Sequence, residues 1–140
     1  MDTIFIKTHQ PGSKYDKPHF FVLSKGLNSG KPQNEPFTNS FVLVFQTETQ
    51  KDDIFWIAMS LWKSKFWHQF LKGSVIPFIT LYDFKKEFNP RATRLMREHE
   101  QHQKNIQALK LLQEQENHHN KNIHLINELK NAIMMRYRNK

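Results

Sequence analysis

The side chains in this chain with most chemistry to offer are cations, and three clusters of them stand out. Lys25 and Lys31 bracket the loop Lys25-Gly26-Leu27-Asn28-Ser29-Gly30-Lys31-Pro32, which follows an apolar run. A strand leading into glycines and a lysine is the setting of a phosphate-binding loop. That loop needs four residues between its glycines and a hydroxyl residue after the lysine. Here three residues separate Gly26 from Gly30, and Pro32 follows Lys31. Nucleotide hydrolysis is thereby set aside, and two readings stay open: a basic loop able to approach a phosphate backbone, or a plain connection. Asn28 and Ser29 are its candidate base-contacting residues, because an Asn side chain pairs with the edge of adenine. The second cluster is Trp62-Lys63-Ser64-Lys65-Phe66-Trp67 with Lys72, and the third is Arg91, Arg94 and Arg97. The aromatics of the second cluster also read as core and its lysines as solvated. On the other reading Lys65 and Lys72 form one continuous cationic surface with Arg91, Arg94 and Arg97.

Other reactive types are present without the spacing that chemistry needs. His99-Glu100-Gln101-His102 has one residue between Glu and the second His, where the zinc-protease pattern has two. His118, His119 and His124 add imidazoles without a matching carboxylate set, and polar helix positions or contacts between helices are the better reading. Asp52 and Asp53 are sequence neighbours that diverge on a helix instead of converging. There is no cysteine and no serine in a nucleophile elbow. The expectation is a non-enzymatic protein with no catalytic residue, no metal and no cofactor.

Charge points to a polyanionic partner. The formal net charge is +8 over 140 residues, with 11 Lys against 8 acids in residues 1–90 and 10 Lys plus Arg against 5 acids in residues 91–140. Such an excess favours nucleic acid through counterion release, and it also serves as a solubilising surface. No apolar leader follows a basic start, and no run approaches the roughly 18 apolar residues of a membrane span. A cytoplasmic protein with no membrane association is expected.

The elements that must position these cations change character near residue 90. All four Gly, all six Pro and 17 of the 18 aromatics precede Arg91. Residues 1–90 therefore read as a globular α/β head, and residues 91–140 as a helical stalk. In the head, Thr3–Ile6, His19–Ser24 and Ser40–Gln46 have the β-branched and aromatic content of strands. Phe55, Met59, Trp62, Phe66 and Phe70 recur at helical spacing and predict a helix from Lys51 to Leu71 ended by Gly73. Val75–Thr80 predicts a short edge strand carrying Pro77. Thr80 and Asp83 predict the cap of a short helix over Leu81–Phe88, which Asn89-Pro90 would end. The fold class is α+β, a small mixed sheet with one or two packed helices followed by a long C-terminal helix or helical hairpin.

The stalk carries two apolar stripes. Ile106, Leu109 and Leu112 form one; Ile123, Ile126 and Ile133 form the other, and Gln113–Asn122 between them has no apolar side chain. Either one helix crosses this interruption or two fold back around Asn117–Asn120. Both arrangements need a partner to cover the stripes, so a coiled-coil homodimer is expected.

Together these segments resemble a known family. Phe21-Val22-Leu23-Ser24-Lys25-Gly26-Leu27-Asn28-Ser29-Gly30-Lys31 resembles the strand and glycine loop of target-recognition domains in type I restriction–modification specificity subunits. Asn39–Phe45 resembles their next strand, and Asp53–Leu71 their helix. Gly73–Lys86 is similar to a "GSTIPxLxxxDLKxI" segment, and Asn122–Tyr137 to the end of their long helix. The chain is also similar to a group of short Bacteroidetes proteins. The region before the loop is short for a full recognition domain, and Asn89–Arg94 replaces the usual proline-rich turn. The resemblance implies a truncated recognition-domain-like head, a pairing helix and DNA as ligand. A half-sized chain would restore the two-unit arrangement by dimerising. On this reading Lys25, Asn28, Ser29, Lys31, Lys63, Lys65, Lys72, Arg91, Arg94 and Arg97 face DNA. The rival reading is an adaptor that binds a methyltransferase or another restriction–modification or mobile-element component without touching DNA.

Overall fold

The computed structural model describes residues 4–139, apart from the side chain of His99. Thr3, at the start of the first expected strand, and Lys140 lie outside the described residues. Four strands, β1 (Phe5–Thr8), β2 (His19–Leu23), β3 (Pro32–Gln33) and β4 (Ser40–Val44), form one sheet in the order β1-β4-β2-β3. Every pairing is antiparallel, where a mixed sheet was expected. The helices are α1 (Glu48–Lys63), a 3-10 helix (Phe66–Phe70), α2 (Leu81–Arg97) and α3 (His99–Arg138). The fold class is α+β.

Alternation on the strands sorts the core. Ile6 faces Leu43, which faces Phe20; two residues along, Phe41 faces Val22. These side chains are buried with Ile54, Ile57 and Ala58 of α1 and Phe84, Phe88 and Ala92 of α2. Trp67 completes the cluster, its ring centroid 4.9 Å from that of Phe84, which stacks on Phe88 at 5.1 Å. Each large apolar side chain buried in this way contributes roughly 1.5–3 kcal/mol.

Element limits differ from expectation in three places. Thr47 caps α1 by accepting from the Gln50 N–H, but the helix stops at Lys63 and does not continue to Leu71. Lys65 adopts a left-handed conformation, φ 60°, and starts the 3-10 helix. The cause is Trp67: on a continued α-helix it would stand about 140° around from the buried Ile54, on the solvent side. The turn at Lys65 puts its indole in the core instead.

Thr80 caps α2 through the Asp83 N–H as its spacing predicts, yet α2 passes through Pro90 to Arg97. Pro90 is exposed, and the fully buried Phe88 and Ala92 flank it. Packing on both sides outweighs the roughly 3 kcal/mol that an interior proline costs a helix. Val75–Thr80, expected as a strand, contributes only isolated bridges from Phe78 to Lys25 and Lys72. The Lys72 and Phe78 backbones exchange hydrogen bonds at 2.8 and 2.9 Å and close a small loop that leaves Val75 and Ile76 exposed.

Residues to His102 form one compact unit and those from Gln103 a second. The basic segment Arg91–Arg97 thus belongs to α2 of the first unit, whereas the composition shift placed it at the head of the stalk. Buried His102 closes the first unit, its Nε2 3.1 Å from the Asp53 carbonyl oxygen. Of the two stalk arrangements, the single helix is the one found: α3 runs unbroken for 40 residues through Gln113–Asn122. No helix among the described residues is long and apolar enough to cross a membrane.

Candidate functional site

The Lys25–Lys31 loop is stitched to its surroundings by its own backbone. Gly30 N–H donates to the Leu23 carbonyl at 2.7 Å, Lys31 N–H to Asn28 at 2.9 Å, and Gly26 N–H to Pro77 at 2.6 Å. Donors used in this way are unavailable to cradle a phosphate, which agrees with the missing phosphate-loop pattern. Gly26 and Gly30 have φ of 91° and 96°, so the turn depends on residues without a Cβ.

The loop separates its two candidate base readers. Asn28 is exposed. Ser29 is buried, and its hydroxyl donates to the Gly26 carbonyl at 2.6 Å, so it closes the loop and does not face a ligand.

Two predicted cations from different elements converge on one ring. Lys31 Nζ lies 5.2 Å and Lys63 Nζ 5.3 Å from the centroid of Trp62, which is half-buried at the end of α1. An ammonium over an indole face is attracted by the ring quadrupole, which limits the conformations of both long side chains. Lys65, exposed at the left-handed turn, follows two residues later.

Below this group, Trp67 packs against the Cα of Gly30, and Phe66 meets Trp67 edge-on at 5.0 Å. Arg91 lies over Phe66 with its guanidinium carbon 4.2 Å from the ring centroid, and its Nη1 donates to Glu87 Oε2 at 3.0 Å. The chain Gly30–Trp67–Phe66–Arg91 links the glycine loop to α2. Arg94 and Arg97 continue along α2 as exposed residues.

The remaining cations have other attachments. Lys25 is exposed beside Phe78, and Lys72 is paired with Asp83 at 3.2 Å, tying the 72–78 loop to the start of α2. In the second unit Leu112, Ile123, Ile126 and Ile133 are exposed, Leu109 is half-buried and Ile106 is buried.

Sequence reasoning missed a second cluster of rings, on the sheet face opposite the helices. Tyr15 hydroxyl lies 2.9 Å from His9 Nδ1, and its ring centroid is 5.2 Å from His19 and 6.1 Å from Phe21. The signal for it was the alternation Phe5-x-Lys7-x-His9 against His19-x-Phe21, hidden because the first strand was read as ending at Ile6.

An antiparallel sheet with helices on one face, followed by a 40-residue helix, defines the class of the protein. Within it, the chain belongs to a family of unknown function, DUF6943, whose signature covers residues 6–136. No curated protein and no solved structure matches the chain.

Proposed function

We propose that this protein binds duplex DNA in the cytoplasm without catalysing a reaction on it, as a homodimer paired through α3. The observation that carries the reading is the convergence of Lys31 and Lys63 on Trp62, beside a loop whose turn is held by its own hydrogen bonds. Cations held over a ring lose less freedom on meeting a phosphate than free side chains do. Lys25, Lys65, Arg94 and Arg97 add exposed positive charge, and on this reading exposed Asn28 is the side chain for a base edge. The test is binding of a short mixed-sequence duplex across a salt titration. Four phosphate contacts give a slope of about −3.6 in log K against log salt, and a flat response overturns the reading.

One observation favours an adaptor that binds a methyltransferase or another restriction–modification component. Leu27, Val75 and Tyr82 are exposed by 70%, 89% and 72%, the first two on loops joined by the Gly26–Pro77 hydrogen bond and the third in the first turn of α2. This reading predicts co-purification of such a subunit and loss of it in a Val75→Asp variant.

A further inference from the structure

The sheet face opposite the helices has a composition that core packing does not require. Residues paired across the sheet point to the same face, so Phe5, Val44 and His19 form one row and Lys7, Val42 and Phe21 the next. His9 continues the series, its N–H donating to the Ser40 carbonyl at 3.0 Å. Edge strand β1 therefore presents Phe5, Lys7 and His9 in sequence on this face. Phe21 and Val42 are buried beneath it, while Phe5 is 58% exposed.

The lysine sits between rings. Lys7 Nζ is 5.8 Å from the Phe5 centroid and 5.4 Å from that of Tyr15, so its ammonium is drawn to both rings. Beyond it lies an open cleft of about 270 Å³ lined by His9, Pro11, Gly12, Pro36, Phe37 and Thr38. That is below the roughly 300–1,000 Å³ of sites for drug-sized ligands and suits a single planar ring system. Phe37, 52% exposed, supplies an aromatic wall. Buried His9 is the lining residue with an ionisable ring, and its Nδ1 lies 2.9 Å from the Tyr15 hydroxyl.

The charge matches this arrangement. Residues 4–19 hold Lys7, Lys14 and Lys17, all exposed, against the single acid Asp16. Exposed Phe5 and Phe37 and half-buried Tyr15 stand near these cations, and rings beside cations are what unpaired bases and their phosphates require, because every base has a π-face to stack and duplex bases are already stacked.

We propose that this face binds single-stranded DNA, with bases stacked on Phe5 and Tyr15, a phosphate at Lys7 and one base in the His9–Phe37 cleft. The inference shares the ligand class of the duplex reading but none of its residues, so either can fail alone.

The test uses the full chain with a labelled oligothymidine of about 16 nucleotides and a duplex of similar length, followed by anisotropy. Phe5→Ala and Phe37→Ala remove rings that are more than half exposed, and unchanged thermal melts establish that the fold is kept. Each is expected to weaken oligothymidine binding about tenfold and leave duplex binding unchanged. A Lys25→Ala/Lys31→Ala variant is expected to do the reverse. On the wild-type chain, oligothymidine is expected to shift the ring resonances of His9 and Tyr15. Absence of oligothymidine binding, unaltered affinity in both ring variants, or unmoved His9 and Tyr15 resonances each overturns the proposal. Binding of oligothymidine without duplex sustains it and overturns the duplex reading instead.

Discussion

Gly30 lies flat against the indole of Trp67: a Cβ at position 30 would fall 2.7 Å from Cγ and 2.8 Å from Nε1, and closer still to Cδ1. The contact joins the basic loop to the core, and it explains why the loop needs glycine here for two separate reasons. The backbone is at φ 96°, and the space a side chain would use is filled by a fully buried ring.

Gly30→Ala is therefore expected to lose about 3 kcal/mol of stability, combining overpacking with the left-handed backbone cost. Gly12, at φ 86° with nothing within 4 Å of a built Cβ, isolates the second contribution. Gly12→Ala should cost only about 1 kcal/mol. Urea unfolding of the two variants checks both, and equal losses would show that the Trp67 contact is unimportant.

Trp62 lets the two effects of a cation be separated. Replacing both Lys31 and Lys63 by Ala removes two charges, so if both touch phosphates the slope of log K against log salt should fall by about 1.8. Trp62→Ala keeps the charges and removes the ring that orients them. It should lower duplex affinity roughly fivefold with the slope unchanged, since each exposed cation–π contact is worth about 0.5–1 kcal/mol. Salt-titrated anisotropy on the three proteins distinguishes these outcomes.

The arginines of α2 divide into one engaged by neighbouring side chains and two that are exposed. Arg91 has its guanidinium over Phe66 and on Glu87, and its side chain is one-third exposed. Arg91→Lys keeps the charge but loses planar stacking, and should cost about 1 kcal/mol in unfolding with little change in the salt slope. Exposed Arg94 and Arg97 should behave oppositely. Their double Ala variant is expected to leave the melt within about 0.5 kcal/mol of wild type and reduce the slope by about 1.8.

What could be read from the sequence, and what could not, follows from the range of the interactions involved. Ser40–Val44 was legible as a strand because its pattern is local, and the Thr80–Asp83 cap because it spans three residues. The break at Lys65 was not, because it exists to bring Trp67 under Gly30, 37 positions earlier in the chain. Pro90 was read as a stop because its local cost is known, while the burial of Phe88 and Ala92 that offsets it depends on the sheet. Val75–Thr80 reads as a strand from its apolar content, but Pro77 and the Lys72–Phe78 closure leave it a loop. Within the candidate site, the cations were found by charge. Telling apart the cations that lie over Trp62, such as Lys31, from those paired with the fold, such as Arg91 and Lys72, needed the positions of Trp62, Phe66 and Asp83.

The second unit supplies the most direct test of dimerisation. Ile123, Ile126, Leu129 and Ile133 are each more than half exposed on α3, at the three- and four-residue spacings that bring side chains to one helix face. A lone helix of this polarity gains little from its own hydrogen bonds, because propagation barely exceeds unity for such residues and tertiary burial normally supplies the rest. A second copy laid along the same stripe would bury those residues, and Gln113–Asn122 would remain as a polar, solvated stretch. Ile126→Asp with Ile133→Asp places two charges in the seam without touching the first unit's core. The expected result is a dimer mass for the wild type by light scattering and a monomer mass for the variant, with a lower helical signal in circular dichroism. The loss in helicity should be confined to residues beyond about 110, so amide exchange in β2, β4 and α1 should stay slow. A wild-type chain that is monomeric at all concentrations would remove the homodimer from the proposed function and leave the stripe to a different partner.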